Sequence, residues 1–247
     1  KEEADSRKGK GSALLALAKY NDALELYQQA LRVYEQAGLK QELIEGLNDL
    51  GNLELRLGDS ASAEREFRRA LEISRAINHP RGIIYNLIAL GSIEWRRKRF
   101  NEAIVLYKDA LSKAREVKDQ SATASAHLQL ALTYRELKRF DETAAAAKSA
   151  LEIARTTQAR PVEAAALYVQ AETLRSTGQL EDALKQFAAS EEIIRLIEDP
   201  ELGWRVQFGQ GQTLEALTRN EDALVSYQNA VKTIEQVRNE LREERFR

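Results

Sequence analysis

The chain has 247 residues, Lys+Arg 37 against Asp+Glu 39, 43% apolar and 31% charged residues, and no cysteine. That composition supports a folded core rather than disorder. Near-balanced charge gives no field to hold nucleic acid or an anionic membrane, no run approaches the length of a membrane span, and without cysteine there is no disulfide, zinc–thiolate site or thiol nucleophile. Methionine is absent even from position 1, which suggests an excised piece or a processed chain. No signal-peptide pattern opens it, and a cytoplasmic location is expected.

Along the chain one phrase recurs every 40 residues. Its anchor alanine falls at Ala23, Ala63, Ala103, Ala183 and Ala223, with Thr143 in the fourth copy. Four residues later comes an aromatic, Tyr27, Phe67, Tyr107, Phe187 and Tyr227, replaced by Ala147 in the fourth copy. Three further on stands a small residue: Ala30, Ala70, Ala110, Ala150, Ser190 or Ala230. Twelve residues before the anchor lies a second small series: Gly11, Gly51, Gly91, Ala131, Ala171 and Gly211. Six copies in register mean stacked supersecondary units.

Each copy reads as two helices. Ala23, Leu24, Tyr27, Ala30, Leu31 and Tyr34 step by three and four, as do Leu43, Leu47, Leu50, Leu53 and Leu57 in the segment before the next anchor. Short polar turns separate the helices at 58–60, 98–99, 138–139, 178–179 and 219–220. Asn21, Asn101, Asp141 and the pair Ser60 and Ser62 are expected as N-caps or in first turns, and Pro80, Pro161 and Pro200 at helix starts. The small residues let paired helices approach, and the aromatic is expected to fill the gap against the next hairpin. A single hairpin cannot bury its apolar face, but a stack can. The fourth copy, with Thr143 and Ala147, must repack.

The order small–aromatic–small, clearest in "ALGSIEW…RFNEAIVLYKDAL", resembles the tetratricopeptide repeat over essentially the whole chain. The usual unit of that family has 34 residues and a proline ending the second helix. Here Glu35, Arg75, Arg115, Arg155, Arg195 and Glu235 stand at that place, and the extra six residues read as a longer second helix and connection. Lengthened repeats of this kind resemble those of kinesin light chains and many bacterial regulatory proteins. The resemblance implies an all-α, right-handed αα-superhelix of six hairpins, one solenoid over 1–247 with repeats at about 1–39, 40–79, 80–119, 120–159, 160–199 and 200–247.

No motif for catalysis, cofactor or metal appears. His79 reads as a solvated turn residue, and His127 as a packing residue where other copies have Leu47, Leu87 and Leu167. "RKGKGS" at 7–12 lacks the spacing of a phosphate loop. No cofactor is expected, and the chain reads as non-enzymatic.

In the family the first helix of each unit lines an inner groove. Carried over by position, the partner-binding residues are Asn48, Asn52, Arg56, Tyr85, Ser92, Arg96, Arg135, Tyr168, Arg175, Arg205, Phe208 and Gln212. Asn48 and Asn52, one turn apart, suit a peptide backbone. Arg56, Arg96, Arg135 and Arg175 form a potential ladder for acidic groups, with Glu136 and Glu172 close enough to neutralise it. Ile88, Leu128, Tyr168 and Phe208 form an apolar stripe at one repeat position, and Trp95 and Trp204 are hot-spot residue types. The expected partner is a protein or peptide, acidic if the ladder is open, with no nucleic acid or membrane partner. Two alternatives stand beside this scaffold reading. "TIEQVRNELREERFR", which ends near Phe246, resembles the junction where repeat arrays of bacterial caspase-like (CHAT-domain) proteins meet the rest of their chain, implying a sensor region. Self-association through the apolar stripe is the other.

Overall fold

A computed structural model describes residues 1–245, with side chains placed through Asn239. Phe246, at the proposed junction, lies outside the described residues. The described chain is all-α, with twelve helices and no strand: α1 (Glu2–Ala16), α2 (Tyr20–Gln36), α3 (Lys40–Arg56), α4 (Ser60–Ala76), α5 (Pro80–Arg96), α6 (Phe100–Glu116), α7 (Gln120–Glu136), α8 (Phe140–Thr156), α9 (Arg160–Ser176), α10 (Leu180–Ile197), α11 (Pro200–Ala216) and α12 (Asn220–Arg245). They form helical hairpins of the tetratricopeptide type. Backbone packing divides the chain into two compact units, Lys1–Lys118 and Asp119–Arg247.

Within the first unit α1 touches α3 and α3 touches α5, whereas α2, α4 and α6 do not touch one another. The second unit repeats this, with α7 on α9 and α9 on α11. In each unit, therefore, the first helices form a close inner layer and the second helices splay outward.

The hairpin is locked by one small–aromatic contact. A Cβ placed on Gly11 would lie 2.9 Å from the Tyr27 ring, on Gly51 2.9 Å from Phe67, on Gly91 2.5 Å from Tyr107 and on Gly211 2.5 Å from Tyr227. The ring therefore rests on the first helix of its own hairpin, rather than only on the next hairpin as the sequence pattern suggested. It reaches the neighbour by its edge, as where Phe67 meets Tyr85 at 6.4 Å between centroids. In the fourth copy Ala147 stands where the ring would be, and Ala131, Thr143 and Ala147 are all fully buried. In the fifth, Phe187 leans onto Gly209 of the following helix, where a Cβ would lie 2.6 Å from the ring.

The length of the repeat does not fall on the second helix alone. First and second helices alike run 17 residues through most of the chain. Each of the first eleven helices ends in a short turn, of two residues after α10 and of three after the others, with a left-handed residue at Ala18, Gly38, Gly58, Asn78, Lys98, Lys118, Lys138, Gln158, Gly178, Glu198 and Thr218. The backbone thus repeats every 20 residues and the side chains every 40. Only three of these positions carry the glycine that best tolerates such a conformation.

Asn21, Ser60, Ser62, Asn101 and Asp141 all lie in first turns. The capping acceptors are instead Asp59, Asp119 and Asp199, each accepting the N–H three residues on. His79 does the same for Gly82 at 3.2 Å, so it is a half-buried cap and not a solvated turn residue. Pro80 and Pro200 open α5 and α11, and Pro161 is the second residue of α9. His127 is buried, as its leucine-equivalent position required. Residues 7–12 lie within α1 and form no loop.

A left-handed, β-branched residue costs roughly 1 kcal/mol relative to glycine, before the entropy that glycine loses on folding is set against it. Thr218→Gly is therefore expected to leave stability unchanged or raise it by up to about 1 kcal/mol. Urea unfolding of the two proteins measures this, and a loss of stability would contradict the strain.

Candidate binding site

The first helices of the first unit converge on one pocket. It encloses about 640 Å³ and is lined by Ser12 and Leu15 of α1, Tyr27 of α2, Asp49, Asn52, Leu55 and Arg56 of α3, and Arg96 of α5. Three sequence-predicted residues, Asn52, Arg56 and Arg96, therefore share a single cavity. Helical geometry brings them there: Asp49, Asn52 and Arg56 step by three and four along α3, and Arg96 holds the register of Arg56 one hairpin later.

Arg56 and Arg96 are exposed and make no ion pair among the described residues. Asn52 is already engaged, its amide donating to the Tyr85 hydroxyl at 2.6 Å, a bond that ties α3 to α5. Asn48 is half-buried, and its Oδ1 is buried without a hydrogen-bond partner. Ser92 donates to the Ile88 carbonyl at 3.0 Å and shares a 3.2 Å bond with the Tyr107 hydroxyl, which burial pushes up to about 12. Ser12 bonds Tyr27 in the same way at 3.1 Å. Of the five lining residues not foreseen as binding residues, Ser12, Leu15, Tyr27, Asp49 and Leu55, only Asp49 carries a charge. Burial raises its carboxyl above the ordinary range, and Lys8 opposes this.

In the second unit the arginines are occupied. Arg135 pairs with Glu136 at 3.1 Å and stacks 5.5 Å over the Tyr168 ring. Burial disfavours its charge, but Tyr168, Glu136 and Glu172 more than restore it. Arg175 pairs with Glu172 at 2.8 Å. Arg205 lies 5.3 Å over Trp204 and 3.3 Å from Glu201. The apolar stripe is uneven: Leu128 is buried, Ile88 and Tyr168 are half-buried, and Phe208 is 45% exposed. Gln212 is half-buried beside it on α11. Trp95 packs edge-on against Phe100 at 6.3 Å.

A tetratricopeptide-repeat family model matches residues 2–76 and 82–156, more than half of the chain. The chain belongs to the tetratricopeptide repeat family. No curated protein sequence matches it. Solved structures share its fold at low identity. The apo form of RapI is 12% identical with a TM-score of 0.75, covering 96% of this chain and 99% of its own. A Rap protein complexed with Competence and Sporulation Factor is 18% identical with a TM-score of 0.67, covering 96% of this chain and 67% of its own. A signal transduction ATPase with a tetratricopeptide repeat sensor, from Pyrococcus horikoshii, is 17% identical with a TM-score of 0.78, covering 97% of this chain and 38% of its own.

One carboxylate near the pocket is out of balance. Glu54 of α3 and Glu94 of α5 occupy the same repeat position. Arg97 at 2.9 Å and Arg99 at 3.3 Å hold Glu94. At the matching positions around Glu54 stand Leu57 and Asp59. Glu54 Oε2 is accordingly buried without a partner, and burial, with Glu66 and Asp59, pushes the carboxyl up to about 7, while Arg65 opposes. The folded protein then binds this proton more tightly than the unfolded chain, whose glutamates titrate near ~4.3. Its contribution to stability is full below about pH 4 and is lost as pH rises to about 7. Glu54→Gln removes that loss. Relative to wild type, the variant's urea midpoint is expected to rise between pH 5 and pH 8, and an unchanged difference would contradict the unpaired carboxyl.

Proposed function

We propose that this repeat array is a non-catalytic scaffold that binds an extended, acidic segment of a protein or peptide, anchored in the pocket of the first unit. The observation that carries this reading is the shared opening of Arg56 and Arg96, neither held by a carboxylate, beside Asn52. Two guanidinium forks suit carboxylates through charge-assisted, bidentate hydrogen bonds. Asn52 and the Ser12–Tyr27 pair add neutral donors and acceptors for a peptide backbone. Asp49 sets a limit, because an ionised ligand group placed next to it is repelled unless Asp49 is protonated. The family supports a recognition role rather than catalysis, and a structural relative carries Competence and Sporulation Factor in its complex. Taken by itself, the second unit offers a less charged surface at Tyr168, Arg205, Phe208 and Gln212, with Arg135 and Arg175 paired to Glu136 and Glu172. Asn48, Tyr85 and Ser92 shape the site more than they grip its ligand.

A second reading, the sensor region of a larger signalling enzyme, is favoured by the likeness to an array described as the sensor of a longer ATPase. It requires the same binding surface and differs only in what the bound ligand controls.

The test is an array of fluorescein-labelled ten-residue peptides rich in Asp and Glu, each paired with its Asn/Gln counterpart. Acidic peptides are expected to bind better than their amide counterparts, with affinity falling as salt rises. Arg56→Ala combined with Arg96→Ala should weaken binding at least tenfold and flatten the salt dependence, at unchanged helical content. Equal binding of both peptide sets, or full affinity in the double variant, would contradict the proposal.

A further inference from the structure

The pocket of the first unit holds unpaired charge of both signs. Arg56 and Arg96 supply the positive charge and Asp49 the negative. Asp49 precedes Arg56 by two helical turns on one face of α3, about 10 Å along the axis. It is half-buried, accepts no hydrogen bond and makes no ion pair among the described residues. The one cation that acts on it, Lys8, is bonded to Glu45 at 2.7 Å, and Glu45 adds to the negative charge felt at Asp49. Arg56 and Arg96 are not among the groups that act on it. Between the two signs stands Tyr27. Burial raises its hydroxyl above the ordinary range; the Ser12 bond, Lys8 and Arg56 oppose this, while Asp49 adds to the rise. One hydroxyl therefore feels both charges.

The repeat does not require this carboxylate. At the same repeat position the other copies carry Gly9, Ala89, Gln129, Val169 and Gly209, none of them ionisable. A carboxylate withdrawn from water without a partner costs stability. A fold that forms with glycine, alanine, glutamine or valine at that place gains nothing from bearing that cost. A cation carried by a ligand offsets it, because an opposite charge close by favours the ionised form.

The spacing then describes the ligand. The axial distance from Asp49 to Arg56 matches about three residues of extended chain at about 3.3 Å each. Leu15 and Leu55 add apolar wall to the same pocket.

We infer that Asp49 seats a basic side chain, lysine or arginine, of the bound segment, about three residues from the acidic residue held by Arg56 and Arg96. The pocket thus reads a bipolar sequence rather than acidity alone. The inference rests on the acidic-segment reading for its Arg56–Arg96 end, and its Asp49 end has an independent readout.

The probes are ten-residue, fluorescein-labelled peptides containing either an Asp-Glu pair or an Asn-Gln pair. In each, a single Lys is walked through the positions on both sides of the pair, with Gln at the same position as the control. Titrated into the whole chain, Lys is expected to bind about tenfold more tightly than Gln at its best position in both series, the scale of one charge-assisted hydrogen bond. Asp49→Asn should abolish the Lys advantage at unchanged helical content and leave the preference for Asp-Glu over Asn-Gln intact. Arg56→Ala combined with Arg96→Ala should do the reverse, keeping the Lys advantage and losing the acidic preference. A Lys advantage that is absent from wild type, or that survives in Asp49→Asn, would overturn the seat whatever the acidic peptides do. A Lys advantage that depends on Asp49 but appears without any acidic preference would sustain the seat and defeat the acidic reading instead.

Discussion

The contact of an aromatic ring with a residue that has little or no side chain sets the geometry of this protein. A ring seated on Gly11, Gly51, Gly91 or Gly211 draws two helices together closely enough to bury both. Core packing tolerates neither voids nor overlap at that distance. The pairing also varies across copies: in the fourth, Ala131 and Ala147 stand in place of glycine and ring, and in the fifth the Phe187 ring shares a core cluster with Ala171 and lies against Gly209.

From that lock follow the inner layer and the pocket. Helices α1, α3 and α5 meet one another because each is held tightly to its own partner, while the second helices stay apart. Residues that step by three and four along the first helices then face a common space. Charge decides how that space can be used. In the first unit Arg56 and Arg96 are left open, while in the second the arginines one repeat position earlier, Arg135 and Arg175, are paired with Glu136 and Glu172. The two units therefore present chemically different first-helix faces, with Arg56 and Arg96 unpaired in the first and Arg135 and Arg175 ion-paired in the second.

The fold was legible in the sequence because its signal is a side-chain pattern. Glycine, aromatic and alanine at fixed offsets leave few alternatives, and six copies remove the rest. The 20-residue period of the backbone was hidden, since alternate helices bury different faces and eight of the eleven left-handed turn residues are not glycine. The sequence did show which arginines recur, but not which are paired. Glu136 next to Arg135 and Glu172 three before Arg175 were visible neighbours, whereas rotamers and stacking on Tyr168 decide that they engage. Asp49 could have been found, lying three residues before Asn52 on the same face. Its burial depends on α1 and α2 and has no local signal.

The central claim is tested most directly by a pair of substitutions with opposite expected signs. Gly9 and Gly91 are both helical, and replacing a helical glycine by alanine ordinarily stabilises by about 1 kcal/mol. A Cβ on Gly9 meets nothing within 4 Å, whereas on Gly91 it meets the buried Tyr107 ring at 2.5 Å. Urea unfolding should therefore show Gly9→Ala more stable than wild type and Gly91→Ala less stable, by about 1–3 kcal/mol. If Gly91→Ala were as stabilising as Gly9→Ala, the ring would have room to spare, and the small–aromatic contact would not be what holds the hairpins together.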